Sequence, residues 1–185
     1  PVIGILGVIE DVRKRISLNL ESRQTIYLLG ETKNELGGSA WAWVKHKHLG
    51  GNPPTPNFDN EILLANIMQE GASKDLISAS HDVTDGGIGV ALAEMAIRSN
   101  IGIKFSNPTK SDNFMFLFSE SAGRAIVAIN DENKEEFIKL VNKINYPIYE
   151  IGQTDNTKFI FEGVFDIELS KLNDSFTQTF YKELA

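Results

Sequence analysis

The sequence predicts an α/β (α+β) fold, a mixed β-sheet covered by helices, on three observations. Short runs rich in β-branched and aromatic residues alternate with stretches whose apolar residues recur at helical spacing, the interleaving that a helix-covered sheet requires. The chain can bury a core without a staple: at 20.5 kDa a folded surface of ~8,900 Å² is expected against ~30,000 Å² unfolded, so roughly 70% is removed from water. Finally, the chain carries 42% apolar residues and no cysteine, so that core is built from packing alone.

The elements follow in order. Val2 to Ile9 is an apolar, β-branched run broken by Gly4 and Gly7 and ended by Glu10-Asp11, which reads as a buried strand that needs neighbours. Thr25 to Leu29 is a second strand, stopped by Gly30-Glu31-Thr32. Glu35-Leu36-Gly37-Gly38-Ser39 then leads into a short helix, Ala40 to Val44, with Ser39 as its N-cap. Gly50 to Pro56 holds three prolines, which remove amide donors and hold their predecessors extended, so it is a linker. Ile62, Leu63, Ile67 and Met68 repeat at helical spacing from Asp59, and Gly71 is read as the stop. Leu76 to Ser80 is a strand, His81 to Gly87 a loop, and Ile88 to Arg98 a helix of about three turns. Ile101 to Phe105 and Arg124 to Ile129 are strands. Glu132 to Ile144, started by Asp131, is an amphipathic helix. Tyr149 to Ile151, Lys158 to Phe161 and Phe165 to Leu169 are short late strands before a terminal helix, Leu172 to Leu184.

Composition excludes several function classes. With 18 Lys and Arg against 25 Asp and Glu the net charge is −7, which argues against a binder of nucleic-acid backbone, whose affinity comes from clustered basic residues. No apolar run approaches the ~18 to 20 residues of a membrane-spanning helix. The absence of cysteine removes a disulfide scaffold, a thiolate zinc site and a cysteine nucleophile. The opening Pro1-Val2-Ile3-Gly4 has neither an initiating Met nor a leader, and reads as a cut inside a longer chain.

The densest chemistry is His81-Asp82-Val83-Thr84-Asp85-Gly86-Gly87. A strand delivers a His and two acids to a turn whose paired glycines let the backbone approach something closely as a helix begins. A helix start suits phosphate, but two carboxylates beside it repel a bare one, so this turn calls for a bridging Mg²⁺ or for hydroxyl and amine donors. The structural alternative is that Thr84 or Asp85 caps the helix and His81 is a satisfied turn residue. Phe118-Ser119-Glu120-Ser121-Ala122-Gly123-Arg124 is a second polar turn. It lacks the glycine and the following helix of a serine-hydrolase elbow, which leaves two readings: Ser121 and Arg124 bind an anion or pair with Glu120, or an internal salt bridge supports the turn. His46 and His48 lie two apart and do not form a helical metal pair. Trp41 and Trp43 read as the core and rim of a short helix, and Gly86-Gly87-Ile88-Gly89 falls short of the dinucleotide fingerprint.

Several segments in this order resemble one family: Pro1 to Gly4 through Gly7-Val8-Ile9-Glu10-Asp11; Leu28 to Thr32 with Glu35 to Ser39; His81 to Gly87 with Ala91-Leu92-Ala93-Glu94-Met95; and Leu117 to Ser121 with Arg124. Together they are similar to the C-terminal part of the large subunit of phosphoribosylformylglycinamidine synthase (FGAM synthase), in the aminoimidazole ribonucleotide (AIR) synthase-related superfamily. The resemblance implies an AIR synthase C-terminal-domain-like fold, with residues 1–11 the last strand of a preceding N-terminal-type domain and residues 12–185 the C-terminal domain. It implies the ATP- and Mg²⁺-dependent amidation of formylglycinamide ribonucleotide with glutamine-derived ammonia, by an iminophosphate, in cytoplasmic purine biosynthesis. Without a cysteine this chain is not the glutaminase, so the resemblance implies as partners the remaining synthase domains with a separate glutaminase and a small bridging subunit, or a fused glutaminase domain. The residues carried over are His81, Asp82, Asp85, Gly86 and Gly87 as lining of the substrate cleft, Asp82 and Asp85 being the metal candidates, and then Glu120, Ser121 and Arg124. The isolated chain is expected to be inactive. Two alternatives are a non-catalytic nucleotide-binding or assembly module, and selenophosphate synthetase.

Overall fold

Alternation along the two central strands decides the architecture. In β1 (Gln24–Leu29) and β4 (Ala125–Asn130), Ile26, Leu28, Ile126 and Ala128 point to one face, while Tyr27, Leu29, Val127 and Ile129 point to the other. Both faces are buried, so a helical layer must cover each of them. The structure, a computed structural model, describes residues 4–184 except Asn156, with side chains described as far as residue 178. The remaining strands are β2 (Ala79–Asp82), β3 (Gly102–Phe105), β5 (Ile148–Asp155), β6 (Lys158–Phe161) and β7 (Phe165–Glu168), and the seven form one sheet in the order β2-β4-β1-β5-β3-β6-β7. All neighbours are antiparallel except β3 and β6, so the expected mixed sheet is present.

The helices α1 (Ala40–His46), α2 (Phe58–Ser73), α3 (Gly87–Ser99), α4 (Asn113–Phe118), α5 (Lys134–Ile144) and α6 (Leu169–Leu184) follow in chain order. On one face α3 and α4 pack Ile88, Leu92, Met95 and Phe116 against the sheet. On the other face α2 and α5 supply Leu64, Ile67, Phe137 and Val141. Each such fully buried aliphatic or aromatic side chain contributes about 1.5–3 kcal/mol relative to exposure. The helix starts follow side-chain chemistry: Ser39 accepts from the Ala42 amide at 3.2 Å and Asn57 from the Asn60 amide at 3.1 Å.

Several expectations need correction. Residues 4–9 form no strand; Ile5, Leu6 and Val8 are at least 90% exposed, and among the described residues none pairs with this backbone, while residues 2 and 3 fall outside the described residues. The strand read at Leu76 to Ser80 sits later, at Ala79–Asp82, so His81 and Asp82 belong to a strand paired with Ile126 and Ala125. Leu76 and Ile77 instead turn into the second core. Gly71 does not end α2. It lies inside the helix, and the reason for a glycine there is packing: a Cβ would stand 2.5 Å from the Ile77 side chain. The helix α4 had no counterpart in the sequence reading, because its all-apolar run lacks periodicity, although Asp112 caps it through the Phe114 and Met115 amides.

The accessible surface is 11469 Å², roughly 30% above the ~8,900 Å² expected for a compact chain of this mass. The extended residues 4–9 contribute to the excess. So does an open apolar hollow of about 440 Å³ between α3, β6, β7 and α6, lined by Val90, Ala93, Ile97, Phe118, Phe159 and Phe176.

Candidate functional site: an acidic turn held from below

The strand β2 ends in His81 and Asp82, Val83 plugs the core, and Thr84 and Asp85 stand exposed before the chain enters α3. Gly86 and Gly87 make this turn possible, with φ of +82° and +71°. At Gly87 the demand is also spatial: a Cβ would lie 2.6 Å from the Leu117 carbonyl oxygen and 2.7 Å from that of Ser119. The glycine pair therefore answers an approach by the protein's own α4 end.

His81 is nearly enclosed, with 14% of its side chain exposed. Its Nδ1 lies 2.7 Å from the Asp82 carbonyl oxygen, and its Nε2 lies 3.0 Å from Glu94 Oε2 on α3. The ring lies against an acceptor on each side, and its contact with Glu94 joins β2 to α3. Asp82 presents a side chain 70% exposed, and the Asp85 carboxylate makes no hydrogen bond, so neither acts as a cap. The helix α3 has Gly86 at its N-cap position, with no side-chain bond of its own.

The second motif lies directly beneath. Glu120 Oε1 accepts from the Gly86 amide at 2.7 Å and from the Ala40 amide at 2.8 Å. Ser119 Oγ donates to the Lys33 carbonyl at 2.5 Å, and Ser121 Oγ accepts from the Lys33 amide at 3.0 Å. Arg124 is buried, its Nε donating to the Ser121 carbonyl at 2.8 Å and its two Nη groups to Ser119 carbonyl and Thr32 Oγ1 at 2.6 and 3.0 Å. Burial pulls its guanidinium down to about 10, against the upward pull of the Glu35 and Glu120 carboxylates. Nearby, burial and the Glu61 and Glu31 charges raise the Tyr146 phenol to about 12, and its hydroxyl donates to the Gly123 carbonyl at 2.6 Å.

The structure thus brings His81, Asp82, Asp85, Gly86, Gly87 and Glu120 together. Ser121 and Arg124 it places elsewhere: both are fully enclosed with their polar atoms turned inward, so the anion-binding reading of this pair gives way to internal support. That support is a set of hydrogen bonds to carbonyls and Thr32, and no salt bridge to Glu120 is formed. Among the described residues no group of three or more His, Asp or Glu converges on a metal-sized site, so Asp82 and Asp85 are at most two ligands of a shared ion. At the start of α3 the Gly86 amide is already committed to the Glu120 carboxylate, which sets a negative charge beside the helix start and disfavours a bare phosphate there. The exposed edge is left acidic, suited to a cation, a hydroxyl or an amine. Sequence reasoning missed Glu94, whose one signal is its helical spacing from Gly87, and Glu35, whose Oε2 is buried without a hydrogen-bond partner.

Comparison with known proteins adds three findings. The family model for AIR synthase related protein, C-terminal domain, matches residues 24–163. The phosphoribosylformylglycinamidine synthase subunit PurL of Thermobifida fusca is 40% identical over 184 residues, and that of Nocardia farcinica 41% identical over 186 residues. These alignments cover 97% and 98% of this chain and 24% of each relative, so the chain spans about a quarter of the length of the curated relatives it matches. Among solved structures, T. maritima PurL complexed with FGAR superposes with a TM-score of 0.73 at 16% identity, over 85% of this chain and 29% of that one. A HypE–HypF complex superposes at 0.56 with 17% identity, over 83% of this chain and 54% of that one, and both likenesses show the fold.

Proposed function

The chain belongs to the AIR synthase related protein, C-terminal domain family, and from that premise we propose that it serves as the C-terminal domain of a phosphoribosylformylglycinamidine synthase. The complete protein would carry out ATP-dependent amidation of formylglycinamide ribonucleotide with glutamine-derived ammonia, in the cytoplasm, as a step of purine biosynthesis. The observation that carries this is the 40% identity to PurL subunits across 97% of the chain. Residues 1–11 would then be the last strand of a preceding domain, a reading supported by the exposed apolar side chains of Ile5, Leu6 and Val8.

In this reading the turn from His81 to Gly87 forms part of the cleft wall. Asp82 and Asp85 face outward; Asp82 Oδ1 lies 3.2 Å from His81 Nδ1 and keeps its other oxygen open, and such carboxylates accept from ribose hydroxyls or an amine. ATP enters the proposal through relatives: structures of T. maritima PurL are complexed with ATP, AMPPCP and ADP. The sequence carries no phosphate-binding Gly-Lys-Ser/Thr loop, and at the start of α3 the Gly86 amide is already taken by Glu120, so a triphosphate would draw its main contacts from other domains. Mg²⁺ commonly sits on one or two carboxylates plus substrate phosphates, which leaves Asp82 and Asp85 room for a shared role and no more. Partners would be the remaining synthase domains together with glutaminase and bridging subunits or a fused glutaminase domain; a solved structure of PurLQS from Thermotoga maritima supports an assembly of several subunits.

The test is ADP release by the complete protein, supplied with ATP, Mg²⁺, ammonia and formylglycinamide ribonucleotide. Release that requires the ribonucleotide supports the proposal. Tight nucleotide binding without ribonucleotide-dependent turnover supports the assembly-module reading instead.

A further inference from the structure

Glu120 invites assignment as a ligand contact, yet the structure commits one of its two oxygens to the protein itself. Oε1 receives the Gly86 amide at 2.7 Å and the Ala40 amide at 2.8 Å. These groups open α3 and α1, and helix starts carry amides without internal partners and a partial positive charge. One oxygen with two lone pairs satisfies both. For α3 this is the anion that its own N-cap residue, Gly86, does not supply. The carboxylate is itself held in place: the Glu120 amide donates to the Glu35 carbonyl at 3.1 Å, and the buried Arg124 grips the flanking Ser119 and Ser121 carbonyls. Gly87 rests against the Leu117 and Ser119 carbonyls as well. The acidic turn is therefore tied to the start of α1 through a single side chain.

We propose that Glu120 is a positioning residue, which sets Asp82 and Asp85 by bolting the start of α3 to the start of α1 and does not touch ligand. This rests on the placing of residues 82–87 in the ribonucleotide cleft. The two ideas separate in the complete protein with three variants. Glu120→Gln keeps the oxygen and the length, Glu120→Ala removes both, and Asp85→Asn reports on the turn alone. Glu120→Ala should speed hydrogen exchange at the Gly86 and Ala40 amides together, by about tenfold or more. It should also raise KM for the ribonucleotide about tenfold, with a smaller effect on kcat. Glu120→Gln should restore most of both. If Glu120→Ala does not fold, Glu120→Asp takes its place: one methylene shorter, it can keep one amide and must release the other. Equal kinetic damage from Gln and Ala with both amides still protected is the behaviour of a ligand contact and overturns the proposal. Both amides released with kinetics unchanged also overturns it, and Asp85→Asn then tells why. Wild-type kinetics for Asp85→Asn mean that the turn is outside the cleft, whereas impaired kinetics mean that the turn matters and Glu120 does not hold it.

Discussion

Replacing each glycine of the acidic turn by alanine tests the close approach on which the site geometry depends. At Gly87, φ is +71° and the new Cβ would stand 2.6 and 2.7 Å from two backbone carbonyl oxygens and 3.0 Å from the Phe118 carbonyl carbon. The left-handed conformation costs an L-residue about 1–2 kcal/mol, and overlap with backbone that cannot rotate away adds about 1–3 kcal/mol. Gly87→Ala should therefore destabilise by roughly 2–5 kcal/mol, a fall in Tm on the order of 10 °C for a chain of this length. At Gly86, φ is +82° and the obstacle is the Val90 side chain on an exposed helix face, its Cγ2 at 2.4 Å and its Cβ at 2.8 Å, so about 2–3 kcal/mol is expected, the lower part of the range for Gly87. Gly89 is helical, and a Cβ there meets only Leu117 at 3.4 Å and beyond. Gly89→Ala should thus be neutral or stabilising by up to about 1 kcal/mol through helix propensity. Urea unfolding of the three variants reads the order directly. A Gly87→Ala variant as stable as Gly86→Ala would show that the turn does not press on the end of α4.

Arg124→Met should cost about 3 kcal/mol, because it strips the donors from two buried carbonyls and leaves Glu35 and Glu120 without a neighbouring cation. Burial lowers this guanidinium to about 10, well below its ordinary value, so the unfolded chain holds the extra proton only between the two. Stability from this group rises with pH inside that window and is flat below it. The gap between wild type and Arg124→Met measured by urea titration should therefore not change with pH across the neutral range, and a slope there would contradict the assignment. Residues 4–9, exposed and unpaired, should exchange their amide hydrogens at nearly free rates in this chain and slow markedly in the complete protein; protection in the chain alone would argue against a role as a preceding domain's strand.

What the sequence disclosed divides along a physical line. Ile26-Tyr27-Leu28-Leu29 and Ile126 to Ile129 were legible because a strand buried on both faces is a continuous apolar run. The stripe of Phe137, Leu140 and Val141 among Lys and Glu was legible for the opposite reason, as one buried helical face. Boundaries failed where packing overrides the local pattern. Leu76 and Ile77 look like a strand but serve the second core, and Gly71 looks like a stop but lets Ile77 come close. At the site, the acids and the glycine pair were visible because they are adjacent in the chain. The use of Glu120 was not, since its two amides lie 34 and 80 residues away, a separation that local chemistry does not report. A shorter separation of 13 residues likewise hid the pairing of His81 with Glu94 across β2 and α3.

The central claim is that the carboxylates of this turn serve a ligand and not the fold. It is tested most directly by kcat/KM for formylglycinamide ribonucleotide in the complete protein carrying Asp82→Asn or Asp85→Asn. Neither side chain is buried or caps a helix, so unfolding free energies should stay within about 0.5 kcal/mol of wild type. The account predicts that kcat/KM falls at least about tenfold in Asp85→Asn, equivalent to ~1.4 kcal/mol of lost transition-state stabilisation. Wild-type kinetics in both variants would remove the turn from the active site.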